Sequence, residues 1–331
     1  MYINGASAIS PLPVFDALNE GVRFTEPEGA RAKVSEPDYS KLIDPKLIRR
    51  MSRIIRMGVA TAMDALKQAG LQQPDAIITG TAYGCLDDTG IFLRRLVENQ
   101  EEMLTPTAFI QSTHNTVGAQ VALMLKCHSY NNTYVQRSQS FELSLHDSRL
   151  WLTENPDHSV LVGAADELTD YSFALLQRFG LFRYHTAGEG AAYFVIQNKA
   201  ADSTWAQLKG VRTLFRPDAA QLDLIMKELL ALAGGSVDLL LSGERRGDPE
   251  GENYKSVKQV LGAEIPVLQY KNYCGEYPTA SAFATWLAAW CLKQGKLEHE
   301  GLSIDRLRNV LIYQADAAGY HSFILLSHVK L

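Results

Sequence analysis

The chemistry this sequence offers centres on one junction, Thr133-Tyr-Val-Gln-Arg-Ser-Gln-Ser-Phe-Glu142, where an extended run gives way to a helical one. Ser138 sits at that strand-to-helix turn. Free N–H groups and the dipole at a helix start stabilise an anion or a nucleophile, and many α/β enzymes place a nucleophile there. The same run also fits plain capping, with Ser138 or Ser140 as N-cap and Glu142 supporting the turn. Cys274 lies two residues before Glu276 with no His near it in sequence, so it reads as a buried structural thiol. Phosphate-loop and dinucleotide fingerprints are missing: Gly118, Gly163, Gly188 and Gly190 do not fall at their spacings. Cys127-His128 is the one Cys–His adjacency, and neighbours in sequence rarely share a metal, so no metal site is expected.

Alternating strands and helices must position that junction. Met1–Ile9 reads as an edge or opening strand, and residues 14–48, polar with scattered Pro and Gly, as an irregular surface excursion. Apolar residues at helical spacing predict a helix over Ile48–Ala69, closed at Gly70. Buried strands are expected at Asp75–Thr81, Ser159–Ala165 and Ala191–Gln197, and a short one at Asn132–Gln136. Helices are expected at Thr89–Asn99, Thr116–Lys126 and Ser140–Leu152, with a loop over Pro106–Asn115. After a polar stretch at 198–204 the pattern repeats. Strands at Ala206–Leu214, Val237–Leu241, Pro266–Tyr270, Asn309–Gln314 and His321–Leu326 alternate with helices at Ala219–Ala233, Tyr254–Leu261 and Thr279–Lys293. This order predicts α/β layers on a mainly parallel sheet. Two halves of similar element order, with no Gly/Ser- or Pro-rich linker, suggest an internal duplication. Trp286 and Trp290, four apart on one helix face, read as core or interface.

Composition narrows the functional class. The chain has 331 residues, enough for about two domains or one large fold. Hydrophobic residues at 46% against charged residues at 21% support a large core and exclude global disorder. A formal net charge of −5 with no basic face argues against general nucleic-acid binding. Four unpaired-looking cysteines, no signal-peptide pattern and no long apolar window predict a reduced, cytoplasmic chain without a membrane span.

Several segments together resemble a β-ketoacyl synthase of the thiolase superfamily. They are the Pro106-Thr-Ala-Phe-Ile-Gln-Ser-Thr-His-Asn run, the 138 junction, and Val160-Leu-Val-Gly-Ala-Ala-Asp-Glu. In the second half they are Lys271-Asn-Tyr-Cys-Gly-Glu-Tyr-Pro-Thr-Ala-Ser-Ala, similar to the family's Lys-Ser-x-x-Gly-His-x-x-Gly-Ala-Ala, and the closing Ala317-Ala-Gly-Tyr-His-Ser-Phe-Ile-Leu. The resemblance covers nearly the whole chain and implies a thiolase-like fold. Two similar halves, 1–200 and 201–331, would then form five α-β-α-β-α layers.

The departures carry the functional expectation. The resemblance puts Ser138 in the slot of the family's Cys nucleophile, Glu276 in the slot of one catalytic His, and Ser242, in Leu239-Leu-Leu-Ser-Gly-Glu, in that of the other. Near Gln314-Ala-Asp-Ala-Ala-Gly319, small residues replace the family's aromatic turn. Claisen condensation needs a thiolate and two neutral donors to hold an enolate, and an ionised Glu brings the wrong charge. No catalytic residues for condensation are therefore expected. The chain resembles chain-length-factor subunits of aryl polyene and flexirubin-type clusters, which pair with an active ketosynthase. It is expected to bind no cofactor itself; an acyl-carrier-protein phosphopantetheine thioester would be the substrate of the complex. Interface and acyl-tunnel positions implied by the resemblance are Phe109, Gln111, His114, Asn115, Tyr134 and Phe141. Arg245-Arg246-Gly-Asp-Pro reads as a solvated turn or as a contact to an acidic carrier protein. The competing readings are a Ser138-dependent acyltransferase or synthase with Glu276 as base, and a homodimeric acyl-binding scaffold.

Overall fold

The computed structural model describes residues 1–183, 185–245, 251–262, 264–299 and 301–329. Its strands are β1 (Tyr2–Ile9), β2 (Ala76–Gly80), β3 (Tyr130–Tyr134), β4 (Ser159–Asp166), β5 (Gly190–Gln197), β6 (Ala206–Phe215), β7 (Leu239–Ser242), β8 (Val267–Gln269), β9 (Leu297–His299), β10 (Leu302–Ile304), β11 (Asn309–Ala315) and β12 (Tyr320–Ser327). Its helices are α1 (Ala17–Glu20), α2 (Pro45–Ile48), α3 (Arg53–Gln68), α4 (Leu86–Glu98), α5 (Pro106–Gln111), α6 (Thr116–Leu125), α7 (Ser140–Glu154), α8 (Asp170–Arg178), α9 (Ala219–Leu232), α10 (Gly251–Leu261), α11 (Lys271–Cys274) and α12 (Ala280–Gln294).

The large sheet runs β3-β2-β4-β5-β1-β6-β12-β11-β7-β8. It is two five-stranded blocks joined where Tyr2 and Ile3 of β1 pair with Gln207 and Ala206 of β6. The blocks repeat one topology. In the first, β2 is parallel to β3 and β4, and β5 is antiparallel to β4 and β1. In the second, β7 is parallel to β8 and β11, and β12 is antiparallel to β11 and β6. The sheet is thus mixed and not mainly parallel. Helical crossovers return the chain parallel, whereas the tight Asp316–Gly319 turn between β11 and β12 can only return it antiparallel. Strand β1 is central, not an edge.

Period-two alternation sorts the strand residues between layers. Val160 and Val162 of β4 and Ile324 and Leu326 of β12 enter a central core with α7 and α12. Leu161 of β4 packs instead with α3 and α6 on the outside of the first block. Phe323 and Leu325 of β12 pack with α9 and α10 on the outside of the second. The layers are α3/α6, first block, α7/α12, second block and α9/α10, the five-layer thiolase-like arrangement.

Residues 14–48 are the irregular, mostly exposed stretch expected, pinned by buried Val34, Tyr39 and Ile43 and by an ion pair of Arg31 with Asp170. Two local expectations are corrected. Pro106–Gln111 is the helix α5, with Pro106 in its first turn, where its missing N–H costs nothing. Phe141 is no interface residue of the folded chain; its ring is wholly buried in the central core, 5.7 Å from that of Phe194. Trp286 is a core residue, with Trp290 partly buried beside it.

Replacing Phe141 with Ala leaves a cavity in the central core and is expected to lower stability by about 3–5 kcal/mol in urea unfolding. The same truncation at exposed Phe109 is expected to change it by less than about 0.5 kcal/mol.

Candidate functional site

Two close approaches set the site. A Cβ at Gly80, the last residue of β2, would come within 2.7 Å of the Ser140 carbonyl, so glycine lets α7 begin directly against the sheet. Before that helix, a single 3-10 turn, Arg137–Gln139, carries Ser138. Gly275 has φ +73°, and a Cβ on it would come within 2.7 Å of the Gly188 Cα; it turns the chain so that Glu276 faces back to the first half. The Glu276 N–H donates to Thr186 O at 2.8 Å, and its own carbonyl accepts from Gly188 N at 2.9 Å.

The capping expectation fails. Gln139 is the N-cap of α7 and makes no side-chain cap bond. Ser140 Oγ instead donates to Arg137 O and accepts from Gln136 N, both at 2.8 Å, bracing the turn before the helix. Glu142 points into the core, where Ser322 Oγ donates to its Oε1 at 2.9 Å. Ser138, only 7% exposed, donates its hydroxyl to Asp316 Oδ2. The other Asp316 oxygen accepts from Ala318 N at 2.9 Å and Tyr320 N at 3.1 Å, which fixes the carboxylate on the β11–β12 turn.

Ser138, Asp316 and Glu276 line one cavity of about 630 Å³, with Arg137, Arg183, Arg245, Tyr83, Phe179, Leu181, Phe182 and Pro278 also on its wall. Glu276 Oε2 lies 3.0 Å from Lys271 Nζ and 3.2 Å from Arg245 Nη1. These are ion pairs whose angles fall outside hydrogen-bond geometry. A polar cavity of about 310 Å³ adjoins through His185, Arg245 and Glu276. Arg245 is therefore a partner of Glu276 rather than part of a solvated turn; Arg246 to Pro249 lie outside the described residues. Ser242 is not on the cavity wall: it is buried at the end of β7, and its Oγ accepts from Glu244 N at 3.2 Å. Cys274 is buried, which pushes its thiol up and leaves it inert.

The positions expected at an interface spread over the edge beside β3. Phe109 on α5 is 57% exposed, with its ring 5.6 Å from that of Phe92. Gln111 Nε2 donates to Arg50 O at 2.9 Å, and Asn115 Oδ1 accepts from Thr113 at 2.7 Å. His114 is exposed and packs beside Gly84, and half-buried Tyr134 ends β3. Asp316 and the Glu276–Lys271–Arg245 cluster escape sequence reasoning: Ser138 and Asp316 are 178 residues apart, and Asp316 reads only as part of a small-residue turn. Among the described residues no helix is long and apolar enough to cross a membrane, and no group of three His, Cys, Asp or Glu could hold a metal ion.

Residues 25–207, more than half of the chain, match the family described as beta-ketoacyl synthase, N-terminal domain, and the chain belongs to that family. A search of curated protein sequences gives no match. Solved structures with the same fold include the ishigamide ketosynthase/chain length factor, at TM-score 0.77 and 19% identity over 99% of both chains. The ketosynthase ApeO in complex with its chain length factor ApeC from Xenorhabdus doucetiae matches at TM-score 0.77 and 16% identity, over 99% of this chain and 98% of that one. A beta-ketoacyl synthase from Burkholderia phymatum STM815 matches at TM-score 0.77 and 16% identity over 99% of both.

Burial pushes the Glu142 carboxyl up from 4.5 to about 7, against the lowering influence of its hydroxyl donors and of Lys271. The folded chain therefore holds this proton more tightly than the unfolded one, and stability is expected to fall as pH rises from 4.5 through 7. Glu142→Gln is expected to raise stability at pH 8 by up to about 3 kcal/mol and to flatten part of the slope, as read by urea unfolding across pH. Glu167, pushed by burial to about 7 as well, keeps part of the slope, together with Asp64, Asp88 and Asp166, whose carboxyls burial also raises.

Proposed function

We propose that this chain is a condensation-deficient β-ketoacyl synthase-like subunit of the chain-length-factor type. It pairs with an active ketosynthase and helps to bound the channel in which an acyl chain grows. The observation that carries this reading is the make-up of the cavity wall. Ser138 stands where the family resemblance asks for a thiolate, and Glu276 where it asks for a neutral imidazole. Serine is the weaker nucleophile, and a carboxylate held by Lys271 and Arg245 has no hydrogen to donate to an enolate oxygen. Ser242, the third slot, is turned into its own strand end.

The pairing surface in this reading is the β3 edge with the α4–α6 stretch beside it. Strand β3 ends the sheet, so one side of its ladder has no partner strand. The Thr133 N–H donates at 2.9 Å to the neighbouring Asn132 side chain, which occupies that donor within the chain. Val97, Phe109, Ile110, Leu123 and Val135 are exposed apolar side chains on this stretch, the composition expected of a surface meant for a protein partner. The ishigamide and ApeO/ApeC structures carry the words chain length factor in their own descriptions, and a third, AntDE:AntF, is described as a ketosynthase with its acyl-carrier protein. By analogy the substrate of the complex is an acyl-carrier-protein phosphopantetheine thioester, the setting is cytoplasmic, and the product is a polyene, polyketide or fatty-acid-like chain. The finer match to aryl polyene clusters rests on the sequence runs alone.

The test is co-expression with a ketosynthase that keeps Cys, His and His. A one-to-one complex is expected, with product chain length shifting when residues of the α5 segment are changed. Val135→Lys sets a charge among the exposed apolar side chains of this edge, and it should weaken the complex at least tenfold at unchanged melting temperature. A stable homodimer that ignores such ketosynthases would move the reading to a scaffold. Condensation by this chain alone would refute it.

A further inference from the structure

We infer that Ser138 and Asp316 form an acyl-accepting pair, in which Asp316 is the base and an acyl thioester is the substrate. This goes beyond the pairing reading and does not rest on it, since acyl transfer to a hydroxyl needs no enolate. Three observations meet at one place. The Ser138 hydroxyl already donates to Asp316 Oδ2, the arrangement a base needs to remove its proton. The aspartate is fixed through its other oxygen by the Ala318 and Tyr320 N–H groups, so it cannot swing away. Both residues line the cavity of about 630 Å³, where Phe179, Leu181, Phe182 and Pro278 offer an apolar wall for a chain, and Arg137 and Arg183 bring positive charge for a developing oxyanion. Glu276 is engaged with Lys271 and Arg245, which leaves Asp316 as the carboxylate on the serine.

The step balances without any co-reactant. Ser138 Oγ attacks the thioester carbonyl as its proton passes to Asp316 Oδ2; the O–C bond forms, the C–S bond breaks, and the departing thiolate takes the proton from Asp316. The product is a Ser138 ester and a free thiol. Water can then repeat the cycle, giving its proton to Asp316 while Ser138 Oγ leaves and recovers one, so that the sum is thioester hydrolysis.

The experiment incubates the full chain with octanoyl-pantetheine and follows thiol release, free octanoate and intact mass with peptide mapping. An octanoyl ester on Ser138, or octanoate formed with turnover, is expected for the native chain and neither for Ser138→Ala. Asp316→Asn keeps an oxygen to accept from Ala318 N and Tyr320 N but cannot take a proton; it should release thiol about 100-fold more slowly at an unchanged melting temperature. Absence of both ester and octanoate from the folded native chain overturns the inference. So does an adduct that survives in Ser138→Ala, or an Asp316→Asn variant as fast as the native chain.

Discussion

Everything at the site depends on the two helices that both sheet blocks press upon. Helix α12 buries twelve of its fifteen residues, and a helix apolar all round is stable only inside a protein. Its run of Ala280, Ala282, Ala284, Ala288 and Ala289 lets strands approach closely, while Trp286 and Phe283 fill the wider gaps. Helix α7 shares this layer and touches β2, β3 and β4 of the first block and β6 of the second. Its start is therefore fixed from both sides, and Gly80 makes room for it. The position of Ser138 is a consequence of core packing before it is a matter of chemistry.

The same layer explains the charge pattern around the cavity. Buried carboxylates are tolerable only where donors or cations compensate them. Asp166, fully buried at the end of β4, accepts from Thr81, Thr279 and the N–H groups of Ala82 and Tyr83. Glu189 pairs with Arg53 and accepts from Val34 N and Leu168 N. Glu276 is neutralised by Lys271 and Arg245, so it acts on its surroundings as part of a cationic cluster rather than as a lone negative charge.

Much of this was legible beforehand because burial writes itself into composition. The runs Ser159–Ala165 and Ala191–Gln197 read as buried strands since both of their faces are covered. The junction at Ser138 was legible because a β-run meeting a helical run has few geometries. Strand order was not: nothing within Met1–Ile9 tells a central strand from an edge. In residues 14–48 the buried Val34, Tyr39 and Ile43 are diluted by charged neighbours, and at six residues α5 is too short to show a period. Glu142 looked like a capping residue because capping is a local pattern, whereas its true partner, Ser322, comes from the other half of the chain.

The turn that ends the cavity shows how residue type decides what a tight backbone turn can offer. Between β11 and β12, Asp316 N bonds to Tyr320 O at 3.0 Å and Gly319 N to Asp316 O at 2.9 Å, a closed loop of small residues with Ala317 and Ala318 at its tip. Bulky rings at that tip would occupy the space beside Ser138; alanines leave it open. Through that opening a carboxylate from the second block reaches a hydroxyl of the first. Gln314 approaches the same turn from below, its Oε1 accepting from Tyr270 at 2.6 Å. The two halves therefore meet at the serine through Asp316, which its own turn holds by the Ala318 and Tyr320 N–H groups, so the contact to Ser138 keeps its geometry without a thiolate or an imidazole.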